Sequence, residues 1–100
     1  MMAAKGLAKL IEECGELQQV AGKKLAFYTT DTHPDKGPPL SERLEDEMAD
    51  VMAAIILVTH LHGLDHERMA ARTMQKTELF LKWVDDTTND NNKYAIDASR

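Results

Sequence analysis

Glu12, Glu13 and Glu16 interrupt the otherwise apolar stretch Leu-Ile-Glu-Glu-Cys-Gly-Glu-Leu at positions 10–17. On a helix turning ~100° per residue these carboxylates share one side, while Leu7, Leu10, Ile11, Cys14, Leu17 and Ala21 gather on roughly the opposite side. Like charges one turn apart repel, so the helix gains no stability from them. A second acidic pair, Glu47 and Asp50, lies inside Leu-Glu-Asp-Glu-Met-Ala-Asp-Val at positions 44–51. Together the two segments read E-E-x-x-E, a connecting segment, then E-x-x-D. Two facing helices that project these groups into one cleft form an all-oxygen site suited to Mg²⁺, with Mn²⁺ as a substitute. The plain alternative is that all five carboxylates are solvated surface charges.

Elements that position such a cleft are legible around it. The first helix is expected over residues 3 to 27 or 28, with apolar residues recurring every three or four positions. Gly15 falls between two of the acids, where a missing side chain admits either a packed helix or a phosphate. Residues 29–39, Thr-Thr-Asp-Thr-His-Pro-Asp-Lys-Gly-Pro-Pro, read as a loop, either a simple connection or a cover over the site. Ser41 is the expected N-cap of a second helix that runs to His62 and stops at Gly63 as its C′ residue. The run at 51–58 is nearly all apolar, which marks this helix for burial. Asp65 caps a third helix reaching about Val84, and residues 85–100 read as a polar C-terminal tail with Tyr94 and Ile96 as its apolar anchors.

The motif pair, in this order and each followed by an apolar helical run, resembles the all-α nucleoside triphosphate pyrophosphohydrolase superfamily, in particular its MazG-like members. That superfamily also contains dimeric dUTPases and phosphoribosyl-ATP pyrophosphohydrolases. The resemblance spans residues 7 to 83 and implies an all-α helical bundle over residues 1–84, completed by oligomerisation. It implies that Glu13, Glu16, Glu47 and Asp50 ligate the metal, and that Glu12 is the additional acid that orients a water or accepts its proton. On the third helix Lys76 matches a phosphate-binding position best, ahead of Arg72 and Lys82, although Phe80 stands where the family carries an Asn. Read from its residue type alone, Lys76 is as well explained as a solvated charge. The implied reaction is NTP or dNTP plus water to the monophosphate and pyrophosphate, a house-cleaning activity on nucleotide pools. A phosphoribosyl-ATP pyrophosphohydrolase and a non-catalytic, metal-stabilised helical binding module are the alternatives.

Composition narrows the partners. One hundred residues suit one small domain whose helices cannot bury all their apolar faces alone, so a homodimer or homotetramer is expected. A net charge of −5 argues against a nucleic-acid surface. No stretch has the length of a membrane span or the pattern of a signal peptide. The single cysteine, Cys14, precludes an internal disulfide and lies on the apolar face, so it reads as core in a reducing cytoplasm. His60, His62 and His66 straddle Gly63 and do not share a helical face, which disfavours a zinc site. No E-x-x-H, P-loop or dinucleotide motif occurs in the sequence.

Overall fold

The computed structural model describes residues 1–89, and these form three helices with no strand among them: α1 (Met2–Ala26), α2 (Leu40–His62) and α3 (His66–Asn89). The chain divides after Leu64 into a two-helix unit and a second unit that begins at Asp65. The all-α expectation holds.

α1 and α2 form an antiparallel hairpin. Along α1 the less exposed residues include Ala3, Gly6, Leu10, Glu13, Leu17, Val20, Lys24 and Phe27; along α2 they include Leu40, Leu44, Glu47, Val51, Ala54, Val58 and Leu61. Both series alternate steps of three and four, the spacing of a coiled-coil seam. Leu40, Ala54 and Val58 are its fully buried apolar residues. Two seam positions, one on each helix, are glutamates.

The open end of the hairpin closes around Gly6. A Cβ there would stand 2.9 Å from Leu61 Cδ1 and 3.6 Å from Val58 Cγ2, so the missing side chain lets the helices approach. Beside it, His62 Nε2 donates to the Ala3 carbonyl at 3.1 Å. Gly15 has no neighbour within 4 Å of where its Cβ would lie, so close packing belongs to Gly6 instead.

The loop between the helices is tied down by two aspartates. Asp31, at φ 57°, accepts from Lys24 Nζ at 2.7 Å, from the Ser41 backbone N–H at 2.9 Å and from the Ser41 hydroxyl. It thereby satisfies a donor in the first turn of α2, a role the sequence had pointed to Ser41 for. Pro39 is the N-cap residue and contributes no side-chain bond, and Ser41 lies inside the helix. Asp35 takes a two-pronged contact from the Arg43 guanidinium at 2.8 and 2.9 Å and accepts from the Gly37 N–H at 3.0 Å. Arg43 holds the Asp35 carboxyl far below the usual carboxylate range, and the Gly37 bond reinforces it. The segment is a braced connection.

Gly63 ends α2 in the left-handed region, φ 59° and ψ 40°, as its position predicts. Asp65 Oδ1 accepts from the N–H groups of Glu67 and Arg68, both at 3.0 Å, and so caps α3. α3 continues through Asp85 and Asp86 to Asn89 rather than stopping near Val84, because nothing in Asp-Asp-Thr-Thr-Asn breaks a helix as Gly or Pro does. Tyr94 and Ile96 lie outside the described residues.

Gly63→Ala places a Cβ in the left-handed region and is expected to cost about 1 kcal/mol. Urea unfolding should show a lower midpoint with an unchanged slope. An unchanged midpoint would refute the assignment of a strained helix stop.

Candidate metal centre

Glu13 of α1 and Glu47 of α2 both occupy seam positions near the middle of the hairpin. Asp50 is three residues beyond Glu47, on the flank of α2. One carboxylate oxygen from each of Glu13, Glu47 and Asp50 can be chosen so that all lie within 4.8 Å of one another. Opposite ligands of an octahedral ion are separated by about 4.2 Å for Mg²⁺ and about 5 Å for Ca²⁺, twice the metal–oxygen distance. The three oxygens thus converge to within the span of one hard cation of Ca²⁺ size, and small side-chain shifts would bring them to the Mg²⁺ spacing.

Burial makes this more than a surface cluster. Glu13 and Glu47 are half-buried, and the Oε2 atom of each is shut off from solvent with no hydrogen-bond partner. A buried carboxylate oxygen without a donor is costly, because it has lost its water and gained nothing in exchange. Burial pushes the Glu13 carboxyl above its ordinary value, and the charges of Glu16 and Asp50 add to the effect. Glu47 is raised in the same way, by burial first and then by Glu16 and Asp50. Glu16 thus acts electrostatically on both seam glutamates, although it falls outside the tight three-residue cluster.

An open groove of about 310 Å³ runs beside these groups, lined by Lys9, Glu13, Asp50, Ala53, Ala54 and Leu57. Glu12 stands at its edge, exposed, with Oε2 held by Lys9 Nζ at 3.1 Å. Lys76 lies on α3, where its ammonium sits 5.7 Å from the centre of the Phe80 ring. Phe80 is therefore an aromatic partner for this lysine. Cys14 is half-buried on α1, and neither it nor any histidine belongs to the carboxylate cluster.

No family model matches the sequence, and no curated protein or solved structure matches it at a significant level. The functional reading therefore rests on these residues alone. Sequence reasoning overlooked Lys9, whose signal was its position three residues before Glu12 and four before Glu13, one helical turn away. It also overlooked the seam. The three–four alternation through positions 6, 10, 13, 17 and 44, 47, 51, 54 places Glu13 and Glu47 among small and apolar residues.

The raised carboxyls fix a pH dependence. The folded state favours protonated Glu13 and Glu47, so their contribution to stability is fully present below the ordinary value of 4.5 and is lost as pH rises through the raised native values. Asp31 is lowered, chiefly by Lys24, and Asp35 by Arg43; both act in the opposite sense, losing stability as pH falls from 3.8. Comparing Glu47→Gln with the parent cancels these two. In EDTA, the melting temperature of the variant relative to the parent is expected to rise between pH 4 and pH 7 and then level off. A difference that stays flat across this range would show that the Glu47 charge costs the fold nothing.

Proposed function

We propose that this chain is a divalent-cation-dependent nucleoside triphosphate pyrophosphohydrolase, cleaving between the α and β phosphates. The carrying observation is the pair of seam glutamates, one on each helix, with solvent-inaccessible, unpartnered oxygens, which group with Asp50 within 4.8 Å. An all-oxygen set without histidine or thiolate favours Mg²⁺, with Mn²⁺ as substitute, and these are the ions that accompany phosphate substrates. The motif resemblance to MazG-like enzymes points to the same chemistry.

In this reading Glu13, Glu16, Glu47 and Asp50 hold the cation. When bound, it neutralises phosphate charge and makes water a stronger acid. Glu12, exposed beside the groove, orients the attacking water and takes up its proton. Lys76 binds phosphate, leaving its place over Phe80. The monophosphate and pyrophosphate are the products. A cytoplasmic setting fits a chain with a single cysteine, and among the described residues no helix is long and apolar enough to cross a membrane.

The reading includes a homodimer or homotetramer, and the hairpin's two flanks support it. With helical residues ~100° apart, Leu7, Ile11 and Leu25 of α1 and Met48, Met52 and Ile55 of α2 fall on the flank opposite the groove. Ile11 is 73% exposed and Met52 62%. Burying that flank against another copy removes apolar area from water while leaving the carboxylate side open. Light scattering at micromolar concentration should give at least twice the chain mass. A fully active monomer would remove oligomerisation from the reading.

The reaction itself is tested by a panel of nucleoside triphosphates with Mg²⁺ or Mn²⁺, following pyrophosphate release in water labelled with heavy oxygen. Pyrophosphate as the first product is expected. Glu47→Gln should lower turnover by at least ~10²-fold, in line with loss of a principal electrostatic group. Glu42→Gln, at the start of α2, should leave it intact. Saturating Mg²⁺ should raise the parent's stability by about 2.7 kcal/mol at a hundred times its Kd, and the Glu47→Gln variant's by less. Orthophosphate and a nucleoside diphosphate as first products would refute the proposed bond cleavage. Metal binding without turnover of any nucleotide would instead identify a helical binding module.

A further inference from the structure

The groove carries a cation that the motif reading leaves without a role. We propose that Lys9 anchors the substrate's polyphosphate chain, exchanging its contact with Glu12 for a phosphate oxygen; this rests on the metal-dependent reading above and names the anion-binding residue of the same site.

Charge makes the first argument. Four carboxylates, Glu13, Glu16, Glu47 and Asp50, against one divalent cation leave the centre negative. A polyphosphate entering beside it meets repulsion unless another positive group lines its path. Among the described residues lining the groove, Lys9 supplies that charge: the others are Glu13, Asp50, Ala53, Ala54 and Leu57. The groove joins the Glu13–Asp50 end to small and apolar walls, so a phosphate chain that starts at the cation passes the lysine.

Availability makes the second. Lys9 Nζ is 3.1 Å from Glu12 Oε2, and the two side chains are 49% and 55% exposed. An ion pair so open to water contributes little and is readily exchanged. Lysine suits the exchange, with a compact charge on a flexible four-carbon stem that swings without moving the helix. The contact with Glu12 holds the ammonium at the rim before substrate arrives. Its transfer to phosphate would free the Glu12 carboxylate at the moment when a proton acceptor is needed.

The test uses inorganic tripolyphosphate in saturating Mg²⁺, with calorimetric titration of the full chain and separate titrations of Mg²⁺ alone. Lys9→Met should weaken tripolyphosphate binding about tenfold, the size of a hydrogen bond to a charged group, and leave Mg²⁺ binding unchanged or tighter. Lys9→Arg, which keeps the charge, should stay within about threefold of the parent, and Glu12→Gln should bind tripolyphosphate more tightly because Lys9 is released. Melting curves verify that each variant is folded. Tripolyphosphate binding by folded Lys9→Met equal to the parent's would overturn the proposal and leave Lys9 a helix-surface ion pair. A parent that binds no Mg²⁺ would overturn the metal reading and this inference with it. A parent that binds Mg²⁺ and tripolyphosphate but cleaves no nucleotide would overturn the enzymatic reading alone, and the Lys9 variants would still establish the anion site.

Discussion

Two glutamates, one on each helix, take seam positions in the middle of the α1–α2 hairpin, and the burial of their carboxylates is the constraint that the remaining contacts must accommodate. The other seam positions at this level are apolar: Leu10 and Leu17 flank Glu13, while Leu44 and Val51 flank Glu47. Leu or Val at positions 13 and 47 would pack the hairpin without the desolvation of two carboxylates. Their burial costs free energy and raises the pKa of both, so the fold holds two carboxyls that favour their protonated form. The two ends of the hairpin supply what the middle lacks. At one end Gly6 lets the helices close on Leu61 and Val58; at the other Asp31 joins Lys24 to the first turn of α2. With both ends clamped, the middle of the hairpin stays closed around the two seam carboxyls.

The sequence revealed those features whose causes are local. Gly63 stops α2 because the left-handed conformation favours glycine, and Asp65 starts α3 because its carboxylate reaches N–H groups two and three residues away. The cap on α2 was not legible, since its acceptor, Asp31, lies ten residues before Ser41 and is positioned by the intervening loop. The packed face of α1 was misjudged for a different reason. The helix has a wide apolar arc, and Leu7, Ile11 and Cys14 drew the reading away from the seam through Gly6, Leu10, Glu13 and Leu17. That arc is real, but Ile11 on it remains exposed in the hairpin. The run at 51–58 shows the same split: Ala54 and Val58 are buried while Met52, Ile55, Ile56 and Leu57 are exposed. Apolar character marks every surface that is meant to be covered, and periodicity does not say by what.

The candidate site was legible in its members and illegible in its geometry. The spacing of Glu13, Glu16, Glu47 and Asp50 puts acids on the right helices, yet it treats the four as equivalent. Their positions make them different. Glu13 and Glu47 are in the seam, where packing fixes them; Asp50 is on the flank, open to the groove; Glu16 is exposed and acts on both seam glutamates through its charge. Two of the acids are therefore held by the fold and two are free to adjust.

Exposed apolar surface and charge are also separated across the hairpin. One flank carries Lys9, Glu13 and Asp50 beside small alanine walls, and the other carries Leu7, Ile11, Met48 and Met52. The separation follows from the antiparallel pairing: residues displaced in the same rotational sense from the seam on each helix emerge on the same side. An insertion of one residue between Glu13 and Leu17 would turn the C-terminal half of α1 by ~100°. Glu16 would leave the carboxylate flank, and the residues that follow would leave the seam. The acid spacing and the apolar spacing are therefore one constraint. The same three–four repeat that packs the hairpin places Glu13 and Glu47 in its seam, so a change of register that spoils the core also disperses the carboxylates.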